Sequence, residues 1–154
     1  MTDFTPEIIT REAVPTAVVT GTVSMADLRS FYDGAYPKVA GHLASQGRTP
    51  LQAFGLYRAM REDSIDLEVG FTTDGRVETG DDVVASELPG GEFVRVTHTG
   101  PYDGLGESWQ RLEQWIRDQD DVRPGTMMFE VYVDDPQRTE ADDLRTDLYW
   151  PLER

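Results

Sequence analysis

The order of predicted elements in residues 5–75 recurs in residues 80–153, at a shift of about 75 residues. Segment 6–23, PEIITREAVPTAVVTGTV, is β-branched and reads as a strand bent at Pro15, because proline cannot donate to a ladder. A helix follows. Ser24 and Asp27 form a capping-box pattern, and Leu28, Phe31, Tyr32, Ala35, Val39 and Leu43 keep helical spacing. Gly34 and Pro37 predict that this helix kinks or splits, and Gly47 is its expected stop. Strands are expected at 51–60 and 64–73, joined by Arg61-Glu62-Asp63. The second copy has a strand pair or bent strand at 82–98 around Pro89-Gly90-Gly91, and a helix at 102–118 with Leu105, Trp109, Leu112 and Ile116 on one stripe. Two further strands are expected at 127–135 and 143–152. The repeat pairs Phe54 with Phe129 and Tyr57 with Tyr132, and on the helices Tyr36 with Trp109.

Two β-α-β-β halves in one domain of 154 residues predict an α+β fold with pseudo-two-fold symmetry. The sheet would be antiparallel, with the helices on one face. A seam between two such halves is where a ligand pocket is expected.

Charge narrows the partners. Against 29 acidic residues stand 14 basic ones, a formal charge of −15 at pH 7. That argues against binding nucleic-acid phosphates or anionic membranes, and favours cationic partners. Lys38 is the only lysine, and Asp outnumbers Glu 17 to 12. Such an acid excess suits either an ordinary solvated surface or a saline cytoplasm. The absence of cysteine excludes disulfides, thiolate nucleophiles and cysteine-ligated zinc. The N-terminus shows no signal-peptide pattern, and no run has the apolar length of a membrane span, so a cytoplasmic protein is expected.

Glu130 is the most informative residue, because it interrupts the apolar run Met127–Val133. Strand alternation puts Met128, Glu130 and Tyr132 on one face and Phe129, Val131 and Val133 on the other. If the odd set packs under the helices, Glu130 looks out to water. If the even set does, Glu130 lies inside, where a carboxylate needs a proton, a cation or hydrogen bonds. A carboxylate so placed can receive a cationic ligand or act as a general acid or base. Tyr36, Tyr57, Trp109, Tyr132, Tyr149 and Trp150 supply aromatic rings on the surrounding elements, and such rings attract cations. Met60, Met127 and Met128 add adaptable apolar contacts.

Other constellations are poor in chemistry. His42 and His98 have no zinc-binding spacing, and no Gly-x-Ser-x-Gly elbow is present. The stretch Gly100–Gly106 lacks a P-loop Lys-Ser/Thr and reads as the turn into the second helix. The acidic segment 134–143 reads as a solvated loop. Neither a metal nor a cofactor is expected.

His98-Thr99-Gly100-Pro101-Tyr102 ahead of the Trp109–Trp115 helix resembles a motif of the GyrI-like family. So do the segments Phe129–Pro136 and Asp143–Leu152. These are the effector-binding domains also found in AraC-type and MerR-type multidrug regulators. The resemblance implies paired β-α-β-β units with a ligand pocket, a pocket glutamate at Glu130, and a pocket aromatic on the second helix at Trp109. Tyr57 and Tyr149 would border the cavity. The implied ligands are lipophilic aromatic or cationic compounds. The family also includes hydrolases of strained electrophiles, in which Glu130 with an aromatic would be the catalytic pair, and inhibitors of DNA gyrase. With no helix-turn-helix in the sequence, direct DNA binding is not expected, and any regulatory role would need a separate DNA-binding partner. Gly55 stands where the second half has Glu130, so one carboxylate of this kind is expected rather than two.

Overall fold

A computed structural model describes residues 4–153. Among them are nine β-strands and two α-helices, each helix entered through a short 3-10 turn. The fold is α+β, and the ladders within its two units are antiparallel. The chain divides into two compact units. One holds residues Glu12–Gly90, and the other holds the chain up to Arg11 together with Gly91 onwards.

The unit Glu12–Gly90 contains β2 (Val14–Val23), α1 (Leu28–Ser45), β3 (Ala53–Met60), β4 (Ile65–Thr72) and β5 (Val84–Leu88), in the sheet order β3-β4-β2-β5. Ala35 of α1 packs on Ile65, Leu67 and Val69, while Val39 and Leu43 pack on Ala17, Val77 and Val83. Ser24 Oγ accepts from the Asp27 amide at 3.3 Å and so caps the entry turn. Of the kink or split expected at Gly34 and Pro37, the split does not occur: α1 is one helix with Pro37 inside it. Burial of Ala35, Val39 and Leu43 on both sides of the proline favours one continuous helix over a split one. The helix stops at Gly47, whose φ of 67° is one that side-chain-bearing residues rarely adopt.

The other unit contains β1 (Glu7–Arg11), β6 (Gly91–Thr99), α2 (Leu105–Arg117), β7 (Arg123–Pro124), β8 (Met128–Tyr132) and β9 (Arg145–Glu153). Its sheet order is β8-β9-β6-β1, with β7 on the far end of β9. Leu112 and Ile116 of α2 are fully buried against Val94, Val96, Leu148 and Trp150, with Leu105 and Trp109 packed alongside.

The two units share a strand order, but the halves differ from 5–75 and 80–153. The strand ahead of β2 is β1, and it pairs with β6. The strand ahead of β6 is β5, and it pairs with β2. The bend expected at Pro15 is instead the break at residues 12–13. Pro15 sits inside β2, opposite Glu87 and ahead of the first β4 pair at Thr16, where a missing N–H costs least. The helix register differs as well. Leu28 and Leu105 begin the two helices, and Ala35 and Leu112 are the first buried aliphatic positions on each. That alignment sets Tyr32, not Tyr36, opposite Trp109 in the repeat, because the common 3-10 entry turn fixes the count.

Candidate functional site

Ladder register decides which way Glu130 points. Glu130 of β8 lies directly opposite Leu148 of β9, and Leu148 lies opposite Val96 of β6. Directly opposed residues share a sheet face. Leu148 and Val96 form the cluster under α2, so Glu130 is on the helix-covered face, with Met128 and Tyr132. It is 2% exposed. Tyr132 lies opposite Thr146, which lies opposite His98, and this row flanks the Glu130 row on the same face.

Three more aromatics pack over this face. Trp109 of α2 meets Trp150 edge-on, with ring centroids 5.6 Å apart, and Trp150 Nε1 donates to the Gly125 carbonyl at 3.0 Å. Tyr102, in the 3-10 turn Tyr102–Gly104, meets Tyr132 edge-on at 5.5 Å. Burial raises the pKa of the Tyr102 phenol, and the negative charges of Glu130, Asp134 and Asp135 raise it further. The ring is therefore a neutral phenol under physiological conditions.

The turn that carries Tyr102 is held by His98. Its Nε2–H donates to the Pro101 carbonyl at 2.9 Å, which leaves Nδ1 to accept from the Ser108 hydroxyl at 2.7 Å. Gly100, at φ 127°, donates its amide to the Leu144 carbonyl at 2.7 Å.

Tyr149 departs from the expected grouping. It lies opposite Phe129 of β8, hence on the sheet face away from α2 and away from Glu130. Its ring stacks on Phe129 at 4.6 Å, and the Arg11 guanidinium lies over both rings at 4.8 and 5.0 Å. The reason is parity: Tyr149 is one residue from Leu148, and a one-residue step reverses the face.

Tyr36 and Tyr57 belong to the other unit. The Tyr36 hydroxyl donates to the Phe54 carbonyl at 3.1 Å, and the Tyr32 hydroxyl donates to that of Tyr57 at 3.1 Å. There Gly55 holds the strand position that Glu130 holds in the other copy. A Cβ at Gly55 would lie 1.9 Å from the Tyr32 hydroxyl, so that ring fills the space a side chain would need.

Sequence reading missed two features. Tyr102 was visible only as the last residue of a turn motif, with nothing to show that it reaches Tyr132. Glu68, which alternates with Leu67 and Val69 in the sequence and drew no notice there, is 2% exposed. It is paired with Arg58 and accepts from the Ser86 hydroxyl at 2.7 Å. Among the described residues no group of three or more His, Asp or Glu is placed to hold a metal ion. A hollow of about 490 Å³ opens beside the end of α2, lined by Arg117, Val122, Arg123 and Glu153 among others, and it includes none of the aromatic or carboxylate residues above. No described helix is long and apolar enough to cross a membrane.

The sequence model of the GyrI-like small-molecule-binding domain matches residues 4–153. The chain belongs to this family. Its fold is shared by the regulator EcmrR. Against the isolated EcmrR C-terminal domain the TM-score is 0.83 at 18% identity, covering 98% of each chain. Against EcmrR in its DNA complex the TM-score is 0.83 at 20% identity, and this GyrI-like chain spans only 58% of the regulator's length while 98% of itself is covered. SAV2435, solved with tetraphenylphosphonium bound, gives 0.72 at 11% identity over 99% of this chain and 94% of its own. A hydrolase from Listeria innocua gives 0.64 at 16% identity over 96% and 91%. At these identities the likeness is one of fold.

Proposed function

We propose that this GyrI-like domain binds lipophilic aromatic or cationic small molecules, with Glu130 as the group that meets their charge. The observation that carries the reading is a carboxylate at 2% exposure on the helix-covered sheet face, in a row with Leu148 and Val96 and flanked by Met128 and Tyr132. Removal from water penalises the charged form of a carboxylate in such a setting. A bound cation converts that cost into an attraction undiluted by water. Tyr132 on the same strand face and Trp109 on α2 are the rings proposed to flank the ligand. Tyr149 and Tyr57 have no part at this carboxylate in the proposal, and Tyr36 is engaged with the Phe54 carbonyl.

The reading fits the relationship to SAV2435, which binds tetraphenylphosphonium. Tryptophan fluorescence titration with tetraphenylphosphonium tests it. Glu130→Gln keeps the size and removes the charge, and is expected to weaken binding by about 10- to 100-fold. Equal affinity for parent and variant would remove the carboxylate from the site. A hydrolase reading assigns Glu130 to general acid–base work instead. Mass spectrometry after prolonged incubation with a strained electrophile separates the two, since a binding domain returns the compound unchanged.

A further inference from the structure

Glu130 is too deeply buried to be the first group a solute touches. Tyr102 is the exposed member of the aromatic pair beside it. The residue is 37% exposed, its edge rests on Tyr132, and Tyr132 stands two residues beyond Glu130 on the same strand face. Its backbone is fixed from both sides. The Gly100 amide bonds to Leu144, the Gly104 amide bonds to the Pro101 carbonyl at 3.1 Å, and the buried His98 ring ties Pro101 to Ser108 of α2. The turn is thus held firmly while the ring it carries faces solvent. A large aromatic side chain left partly in water on a rigid support adds little to the core. It does present an apolar face with negative electrostatic potential. Nearby charge is negative as well: Asp134 and Asp135 follow Tyr132 in the chain, Asp134 paired with Arg145 at 2.9 Å and Asp135 more loosely with Arg138 at 3.8 Å.

We propose that Tyr102 is the specificity-determining ring of the Glu130 site, the surface on which a lipophilic cation is taken from water before its charge meets the carboxylate. This rests on the reading of Glu130 given above. The ring then favours cations over neutral molecules of similar shape, because a ring face attracts positive charge in addition to burying apolar area. The hydroxyl is secondary, so phenylalanine serves nearly as well.

The test compares equilibrium dialysis of tetraphenylphosphonium and of neutral triphenylphosphine oxide across four proteins: the parent, Tyr102→Phe, Tyr102→Leu and Glu130→Gln. Tyr102→Leu is expected to weaken the cation by about 5- to 30-fold and the neutral compound by less than about threefold. Tyr102→Phe should stay within about twofold of the parent for both. Position 102 is partly exposed, so thermal unfolding of Tyr102→Phe and Tyr102→Leu should stay close to the parent. If Tyr102→Leu leaves the cation unaffected while Glu130→Gln weakens it, the role of Tyr102 is overturned and that of Glu130 stands. If Tyr102→Leu weakens both compounds equally, the ring is an apolar wall and charge selection is overturned. If Glu130→Gln is silent, the reading of the carboxylate fails, and with it a ring that serves it. A parent that binds neither compound overturns both.

Discussion

The two units present one strand order and one helix placement with different contents. On the helix-covered face, β3 carries Gly55 and β8 carries Glu130. Over Gly55 the Tyr32 hydroxyl descends to meet Tyr57, and nothing larger than hydrogen fits. At the helix position equivalent to Tyr32 the other unit has Trp109, whose ring turns to Trp150. The same trade occurs one row away. Gly21 of β2 lies under the Phe31 ring, which a Cβ would meet at 2.5 Å. The equivalents, His98 and Ser108, exchange small-plus-large for large-plus-small and add a hydrogen bond. A duplicated frame keeps its aliphatic positions, Ala35 and Leu112 or Val39 and Ile116, because these hold helix to sheet. It can change what stands between them. One copy became a filled tyrosine pair and the other a buried carboxylate.

The sharpest break of this equivalence is at Gly70 of β4, whose counterpart in β9 is Tyr149. A Cβ at Gly70 would lie 1.9 Å from the Ala17 carbonyl oxygen. The obstacle is backbone, which cannot rotate aside. Gly70→Ala is expected to cost about 3 kcal/mol or more, read from urea unfolding. A loss under about 1 kcal/mol would mean that β2 and β4 move apart freely, and that the glycine is incidental.

Installing the missing carboxylate is next in size. Gly55→Glu drives the Tyr32 ring away and buries a charge with no designed partner, for an expected loss of about 3–5 kcal/mol. Adding Tyr32→Ala opens the space and should recover about 1 kcal/mol or more of that loss. If the single variant unfolds like the parent, the two units are interchangeable at this position, and the asymmetry between them does not exist.

Much of this frame was legible from hydrophobic periods. The second helix showed a clean stripe of Leu105, Trp109, Leu112 and Ile116, and it is found at Leu105–Arg117. The face of Glu130 was not legible. Both faces of β8 carry apolar residues, so alternation offered two answers, and only pairing with Leu148 chose one. The exchange of β1 and β5 was hidden for a similar reason. Strand propensity is local, whereas the choice of a partner strand rests on contacts far apart in sequence. Tyr149 was expected to border the cavity because of its strand, and a strand alone does not say which face a residue takes.

The His98–Ser108 pair tests whether the second trade is a packing equivalence. His98→Gly leaves the Ser108 hydroxyl and the Pro101 carbonyl without their buried partner and opens a gap, for an expected loss of about 1–3 kcal/mol. Combining it with Ser108→Phe recreates the arrangement of Gly21 and Phe31. The double variant should be more stable than His98→Gly alone, and thermal unfolding measures the difference. If the two losses simply add, the pair is not an inverted copy of the other.

The smallest effect concerns an ion pair whose sign is reversed between the copies. Asp66 of β4 accepts from both Arg61 terminal nitrogens at 2.6 and 2.7 Å and from the Thr22 hydroxyl at 2.6 Å. The equivalent residue of β9 is Arg145, bound to Asp134 at 2.9 Å. Hydrogen bonding from Arg61, then from Thr22, lowers the Asp66 pKa from 3.8 to about 2. Arg145 lowers that of Asp134 in the same direction. A carboxylate depressed in the folded state contributes its full stabilisation above its unfolded pKa, near pH 4, and loses it as the pH falls through the folded value. Both carboxylates are partly exposed and their arginine partners are exposed, so the contribution at neutral pH is small and falls further in salt. Asp66→Asn should therefore change neutral stability little, yet flatten the fall in urea-unfolding stability between about pH 4 and pH 2. Asp134→Asn should do the same in the other unit. An acid limb as steep in both variants as in the parent would place the acid sensitivity elsewhere.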